Sequence, residues 1–195
     1  MKIESAVLLA GGRSSRMGTD KSELLYRGVP LIEYQVAKLQ RIGMRDIVIS
    51  GCARAIPGTR SAPDEYPARG PLGGIHAGLL AIRSEAALVI GVDTPLLPEA
   101  LLTELVRTHR SGITAVSADG RIEPLIAVYD RALAARCECI LLSGQTAVRR
   151  LFDETPPRLL PYTGDPRLLM NCNTPADYRL LTRGSAGSPP ERTDV

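Results

Sequence analysis

The run Ala6-Val7-Leu8-Leu9-Ala10 ends in Gly11-Gly12, and Arg13, Arg16 and Lys21 follow within nine positions. Val7 to Leu9 reads as a buried strand, and the paired glycines let the backbone turn where a Cβ would obstruct it. The N–H groups of such a turn, backed by three cations, form a site for polyphosphate. Asp20 is the one acid beside those cations, so an anionic ligand meets a local formal charge of +2. The competing reading is an ordinary strand-to-helix turn with solvated cations, but a packing turn has no need of glycines and cations together.

The remaining composition narrows the class. A chain of 195 residues, 44% hydrophobic and 23% charged, is long enough for one continuous core and matches an ordinary soluble globular protein. A net charge of only +3, with six Tyr, one Phe and no Trp, offers little stacking surface for single-stranded nucleic acid, so no nucleic-acid partner is expected. Cys52, Cys137, Cys139 and Cys172 fit neither a disulfide framework nor paired zinc knuckles, and only His76 and His109 are available beside them. Free thiols in a reducing cytoplasm are the expectation. The apolar run at the N-terminus is too short for a signal peptide or a membrane span.

The pattern of elements then follows the chain. After a short extended piece at 23–27, Pro30 starts a helix with Ile32, Val36 and Leu39 on one face, and Asp46 to Ser50 forms a second strand. The stretch from Cys52 to Pro71 reads as loop, with an extended piece at Thr59 to Ala62. Gly70-Pro71-Leu72-Gly73-Gly74 reads as a second flexible corner, opening a helix near Ile75 to Ile82. Ala86 to Val92 is the clearest buried strand. A helix from Pro98, strands at 114–118 and 125–129, helices at 131–142 and 147–152 and a last helix near 176–181 complete the domain. Thr174 or Asn173 is placed to cap that last helix. These elements predict a three-layer α/β/α Rossmann-like domain over residues 1–183, with a mainly parallel mixed sheet. The strand pair at 114–129 predicts an irregular, mixed edge. The Ser-, Gly-, Pro- and charge-rich residues 184–195 predict a disordered tail.

Spacing excludes two common phosphate motifs. Arg16 and Met17 stand where a Walker A loop requires glycine, with Lys21-Ser22 displaced, and the loop is not GxGxxG. A glycine turn, two arginines and a lysine remain, with Asp93 at the carboxyl end of the central strand, where open α/β sheets hold ligands. Asp93 stands five residues before Pro98, too far to cap that helix. Mg²⁺ is held by one or two carboxylates plus substrate phosphates, so Asp93 alone is able to anchor a Mg–nucleotide.

Leu9-Ala10-Gly11-Gly12, Arg16-Met17-Gly18 and Asp20-Lys21 together resemble the signature of the nucleotidyltransferases that include molybdenum cofactor guanylyltransferase. Gly70-Pro71-Leu72-Gly73-Gly74, Asp93-Thr94-Pro95, Glu123-Pro124-Leu125 and Asn171-Cys172-Asn173-Thr174-Pro175 follow in that family's order, so the likeness spans about residues 5–183. The resemblance implies transfer of GMP from GTP to Mo-molybdopterin, with pyrophosphate leaving. It implies nucleotide contacts from Leu9, Ala10, Gly11, Gly12, Lys21 and Asp64, and phosphate-neutralising roles for Arg16 and Lys21. Mg²⁺ binding would fall to Asp93, and Asn171 and Asn173 would lie on the pterin side. Proteins of molybdenum insertion and molybdoenzyme maturation are the implied partners.

Ser50 stands where relatives place Asn beside the nucleotide, and Glu123-Pro124 replaces the His-Pro of some relatives. The neighbouring alternatives are a molybdopterin cytidylyltransferase, another small nucleotidyltransferase and a non-catalytic nucleotide- or cofactor-binding module. Cytidylyltransferase relatives tend to carry Leu-Ala-Ala-Gly, so glycine at position 11 is expected to make room for the larger purine.

Overall fold

Ser5–Leu9 forms strand β1 in the computed structural model of the chain, with all five residues buried. The structure describes residues 2–11, 24–52, 54–63, 65–66 and 69–183. Leu25–Tyr26 (β2) and Val29–Pro30 (β3) make a small antiparallel hairpin. Arg27 and Gly28 both take positive φ, 52° and 82°, as the tight two-residue hairpin turn demands. Pro30 then leads into α1 (Leu31–Arg41), followed by β4 (Asp46–Ser50), β5 (Thr59–Ala62), α2 (Gly70–Ala81), β6 (Ala86–Gly91) and α3 (Glu99–Thr108). Strands β7 (Ile113–Ala118) and β8 (Arg121–Asp130), helices α4 (Ala134–Leu142) and α5 (Arg149–Glu154), strand β9 (Arg158–Pro161) and α6 (Pro175–Arg183) follow, with short 3-10 turns at Arg131–Leu133 and Pro166–Leu169.

The sheet order is β5-β4-β1-β6-β8-β7-β9. Only β8 runs against its neighbours; the pairs β1–β4, β1–β6, β4–β5 and β7–β9 are all parallel. The antiparallel strand therefore lies inside the sheet, with β7 and β9 beyond it, and not at the mixed edge expected from sequence. A tight turn at Asp119 and Gly120, both at positive φ, reverses the chain from β7 into β8, and β8 then pairs with both β7 and β6.

Alternation along the strands divides the core in two. Ala6, Leu8, Ile47, Ile49, Leu88 and Ile90 face α1 and α3, where Leu31, Ile32, Leu39, Leu102 and Leu105 are fully buried. Val7, Leu9, Val48 and Val89 face α2 and α4, meeting Leu72, Ile75, Leu79 and Cys137. Each fully buried aliphatic side chain contributes about 1.5–3 kcal/mol, and this burial on both faces explains the uninterrupted apolar strands.

The Gly70–Gly74 stretch is not a flexible corner: it forms the first turns of α2. Three glycines along the protein sequence weaken helix propensity there, yet contact with the sheet decides the outcome. A Cβ on Gly74 would lie 2.9 Å from Leu9 Cδ2, and one on Gly78 would run into the Val7 side chain. The glycines let the helix axis approach β1 closely. Among the described residues no helix is long and apolar enough to cross a membrane.

Candidate functional site

Strands β1, β4, β5, β6, β7 and β9 end, and β8 begins, at one edge of the sheet. Beyond that edge the pairing continues: Ala10 N–H donates to the Ser50 carbonyl at 2.8 Å, and Val92 N–H to the Leu9 carbonyl at 2.9 Å. Leu9 and Ala10, both expected at the nucleotide, therefore stand between the ends of β4 and β6. Gly11 follows against Gly51. Gly51 has φ +83°, and a Cβ on it would stand 2.5 Å from the Gly11 nitrogen. A Cβ on Gly11 would in turn lie 3.0 Å from Gly51 Cα. The space a methyl would take at position 11 is thus narrowed by neighbouring backbone, so Gly11 serves the packing of the strand ends.

Ser50 does not reach outward. Its side chain is buried against Gly74, and its Oγ has no partner among the described residues. Gly12, Arg16, Lys21 and Asp64, also named from sequence, lie outside the described residues.

Asp93 stands two residues beyond β6 in a loop tied on three sides. Val92 holds it to β1, and the Thr94 hydroxyl donates to the Gly91 carbonyl at 2.9 Å. From the third side the Cys172 N–H donates to the Asp93 carbonyl at 2.7 Å. The carboxylate folds back over Gly91, where an added Cβ would lie 2.6 Å from Asp93 Oδ1. Gly91 therefore provides the space the carboxylate occupies. No cluster of three or more His, Cys, Asp or Glu side chains exists among the described residues. A carboxylate oxygen is the donor type that a hard divalent ion such as Mg²⁺ takes when phosphates supply its other ligands, so the chemistry of Asp93 is compatible with such an ion.

The Cys172–Asp93 bond brings the Asn171–Asn173 strap to the same edge. The strap is fixed by α6, whose start is a reciprocal cap: the Thr174 hydroxyl accepts from Asp177 N–H at 3.1 Å, and Asp177 Oδ2 accepts from the N–H groups of Asn173 and Thr174 at 3.0 and 2.8 Å. Cys172 is buried while Asn171 and Asn173 are exposed, so the strap turns its apolar side inward and its amides outward. Asn171 lines a cleft of about 500 Å³ together with Asp119, Arg121, Glu123 and Met170. Glu123 enters this cleft, and Glu123-Pro124 lies at an irregularity in β8, where pairing with β7 jumps from Ala127 to Glu123. Proline is tolerated at such a break, and the Tyr129 hydroxyl donates to its carbonyl at 2.8 Å.

Sequence reasoning missed Gln35 and Lys38. Both are buried on α1 and bonded to the Asp93 loop, and burial pushes the Lys38 ammonium down to about 8. Their signal was present: they share the inner stripe of α1 with Leu31, Ile32, Val36 and Leu39, where a polar residue requires a partner.

Residues 6–159 match the family model described as a MobA-like NTP transferase domain. A probable molybdenum cofactor guanylyltransferase of Chloroflexus aggregans is 35% identical over 192 residues, covering 91% of this chain and 92% of that relative. The molybdenum cofactor guanylyltransferase of Xanthomonas euvesicatoria is 34% identical over 185 residues, 91% of this chain and 93% of its own. Among solved structures, molybdopterin-guanine dinucleotide biosynthesis protein A of Archaeoglobus fulgidus superposes with a TM-score of 0.79 at 21% identity, covering 94% of this chain and all of that one.

Proposed function

This chain belongs to the MobA-like NTP transferase family and is a nucleotidyltransferase, and we propose that it transfers GMP from GTP to the terminal phosphate of Mo-molybdopterin. A phosphate oxygen of the pterin attacks the α-phosphorus in line. The bond from that phosphorus to the bridging oxygen breaks, and pyrophosphate departs with the electron pair. Such chemistry needs positioning and charge neutralisation more than a covalent nucleophile.

One observation carries the reading: the Asp93 loop and the Asn171–Asn173 strap meet at the strand ends through the bond from Cys172 N–H to the Asp93 carbonyl, 2.7 Å long. Two ligands seated on these elements would be neighbours, as group transfer between them requires. Leu9, Ala10 and Gly11 supply backbone at the nucleotide side, with Gly12, Lys21 and Asp64 completing it. Arg16 and Lys21 neutralise the phosphates. Asp93 holds Mg²⁺, which when bound offsets charge on the triphosphate oxygens. The amides of Asn171 and Asn173 donate to and accept from the pterin. The names of the relatives favour GTP over CTP. A cytoplasmic setting fits four cysteines that form no disulfide.

The test is pyrophosphate release from Mg–GTP with and without molybdopterin, repeated with CTP. Release should require molybdopterin and favour GTP, and Asp93→Ala should abolish it while the fold persists. Equal turnover of CTP would refute the guanine preference, and full activity of Asp93→Ala would refute the metal assignment.

A further inference from the structure

Helix α1 turns two polar side chains toward the back of the loop that carries Asp93. Gln35 Nε2 donates to the Gly91 carbonyl at 3.1 Å and faces that of Val92 at 3.5 Å. Lys38 Nζ donates to the Pro95 carbonyl at 2.6 Å and the Leu97 carbonyl at 3.0 Å, with the Tyr34 ring centroid 5.3 Å away. The tethered carbonyls bracket Asp93 on both sides in the chain. Gln35 is 0% and Lys38 1% exposed, on a helix face whose other buried residues are aliphatic.

Burying an ammonium and an amide there is costly, and an aliphatic side chain would pack without that cost. What aliphatic residues cannot supply is donors for the carbonyls of Val92, Pro95 and Leu97, which lie beyond the last paired residue of β6, and a second donor for that of Gly91, which ends the strand. Lys38 has suitable chemistry: a compact cation with several donors, delivered on a long stem to carbonyls two residues apart.

We propose that Lys38, seconded by Gln35, is a positioning residue for Asp93, fixing the 91–97 loop so that the carboxylate is already placed for the divalent cation accompanying the nucleotide. The proposal rests on the reading of Asp93 given above. A loop ordered beforehand loses less conformational entropy when the cation and triphosphate arrive, so the tethers act on cation affinity. They reach Asp93 through its backbone on both flanks and make no direct contact with substrate.

The test titrates Mn²⁺ by electron paramagnetic resonance in the presence of α,β-methylene GTP, with turnover of GTP and molybdopterin measured alongside. Lys38→Met keeps most of the stem and removes the donors. It should weaken Mn²⁺ binding about tenfold or more, as loss of groups that orient a metal ligand commonly does. Lys38→Arg, which retains donors, should recover most of that loss. A purely structural role would lower the thermal midpoint and leave Mn²⁺ affinity unchanged. Mn²⁺ affinity of folded Lys38→Met within twofold of wild type overturns the proposal. If Lys38→Met does not fold, Gln35→Met carries the same test: weakened Mn²⁺ binding supports the proposal, and unchanged binding overturns it. The two readings separate cleanly. Wild-type protein that turns over no GTP, yet loses Mn²⁺ affinity in Lys38→Met, refutes the reaction and leaves the tethers standing.

Discussion

Gly91→Ala is a sharp probe of Asp93 because it alters the carboxylate's position without touching the carboxylate. The new Cβ would lie 2.6 Å from Asp93 Oδ1, and ordinary contact begins at 3.4 Å, so the oxygen has to retreat by about 0.8 Å. Position 91 is not among the glycines at positive φ, so alanine fits the backbone there. The Gly91 carbonyl keeps its bonds from Gln35 and Thr94. The perturbation is therefore local. Misplacing a reacting or coordinating group by about 1 Å costs on the order of 100-fold in rate, or about 2.7 kcal/mol of transition-state stabilisation. The expectation is a loss of about 30- to 100-fold in kcat/KM for pyrophosphate release, with a thermal midpoint within a few degrees of wild type. An alanine variant that retains at least a third of wild-type kcat/KM would show that the carboxylate need not lie over Gly91 to act, and the assignment of Asp93 would lose its geometric support.

Two further expectations concern the scaffold. Gly78→Ala drives a Cβ into the Val7 side chain on the central strand; overpacking of about 1–3 kcal/mol should outweigh a helix-propensity gain of about 1 kcal/mol, lowering the midpoint in thermal unfolding. An unchanged or raised midpoint would show that α2 can move away from β1 freely. At the opposite edge of the sheet, burial works to raise the Asp46 carboxyl, but donation from Arg60, Ser5 and the Arg83 N–H prevails and holds it below its usual value of 3.8. Its folded value being the lower one, the stabilisation is complete above the unfolded value and is lost as pH falls through the folded one. Asp46→Asn should cost about 2–4 kcal/mol at neutral pH and flatten the acid limb of the stability curve, read by urea unfolding between pH 2 and 7. An acid limb identical to wild type would remove Asp46 from that account.

Much of the fold can be read from local pattern. The apolar runs that became β1, β4 and β6 are visible because strands covered on both faces admit little but aliphatic residues. Thr174 is recognisable as the cap of the last helix because capping is settled within four residues. Asp93 stands out because an acid just past a core strand is chemically exceptional. The helical state of Gly70–Gly74 is not legible in the same way. Propensity argues against it, and the deciding contacts, with Leu9, Ser50 and Val7, come from strands far away in sequence.

The candidate site divides along the same line. The residue types needed for nucleotidyl transfer, their order and the family they announce are properties of short segments, and the sequence alone carries them. Three other features depend on tertiary structure: Gly11 packed on Gly51, Asp93 joined to the asparagine strap through Cys172, and the loop tethered by Lys38. Each is a contact between segments tens of residues apart, whose partners are chosen by the sheet order. A strand's alternation specifies which faces are buried but not which neighbour covers them. Only the folded chain decides which glycine meets which backbone and which buried cation holds which loop.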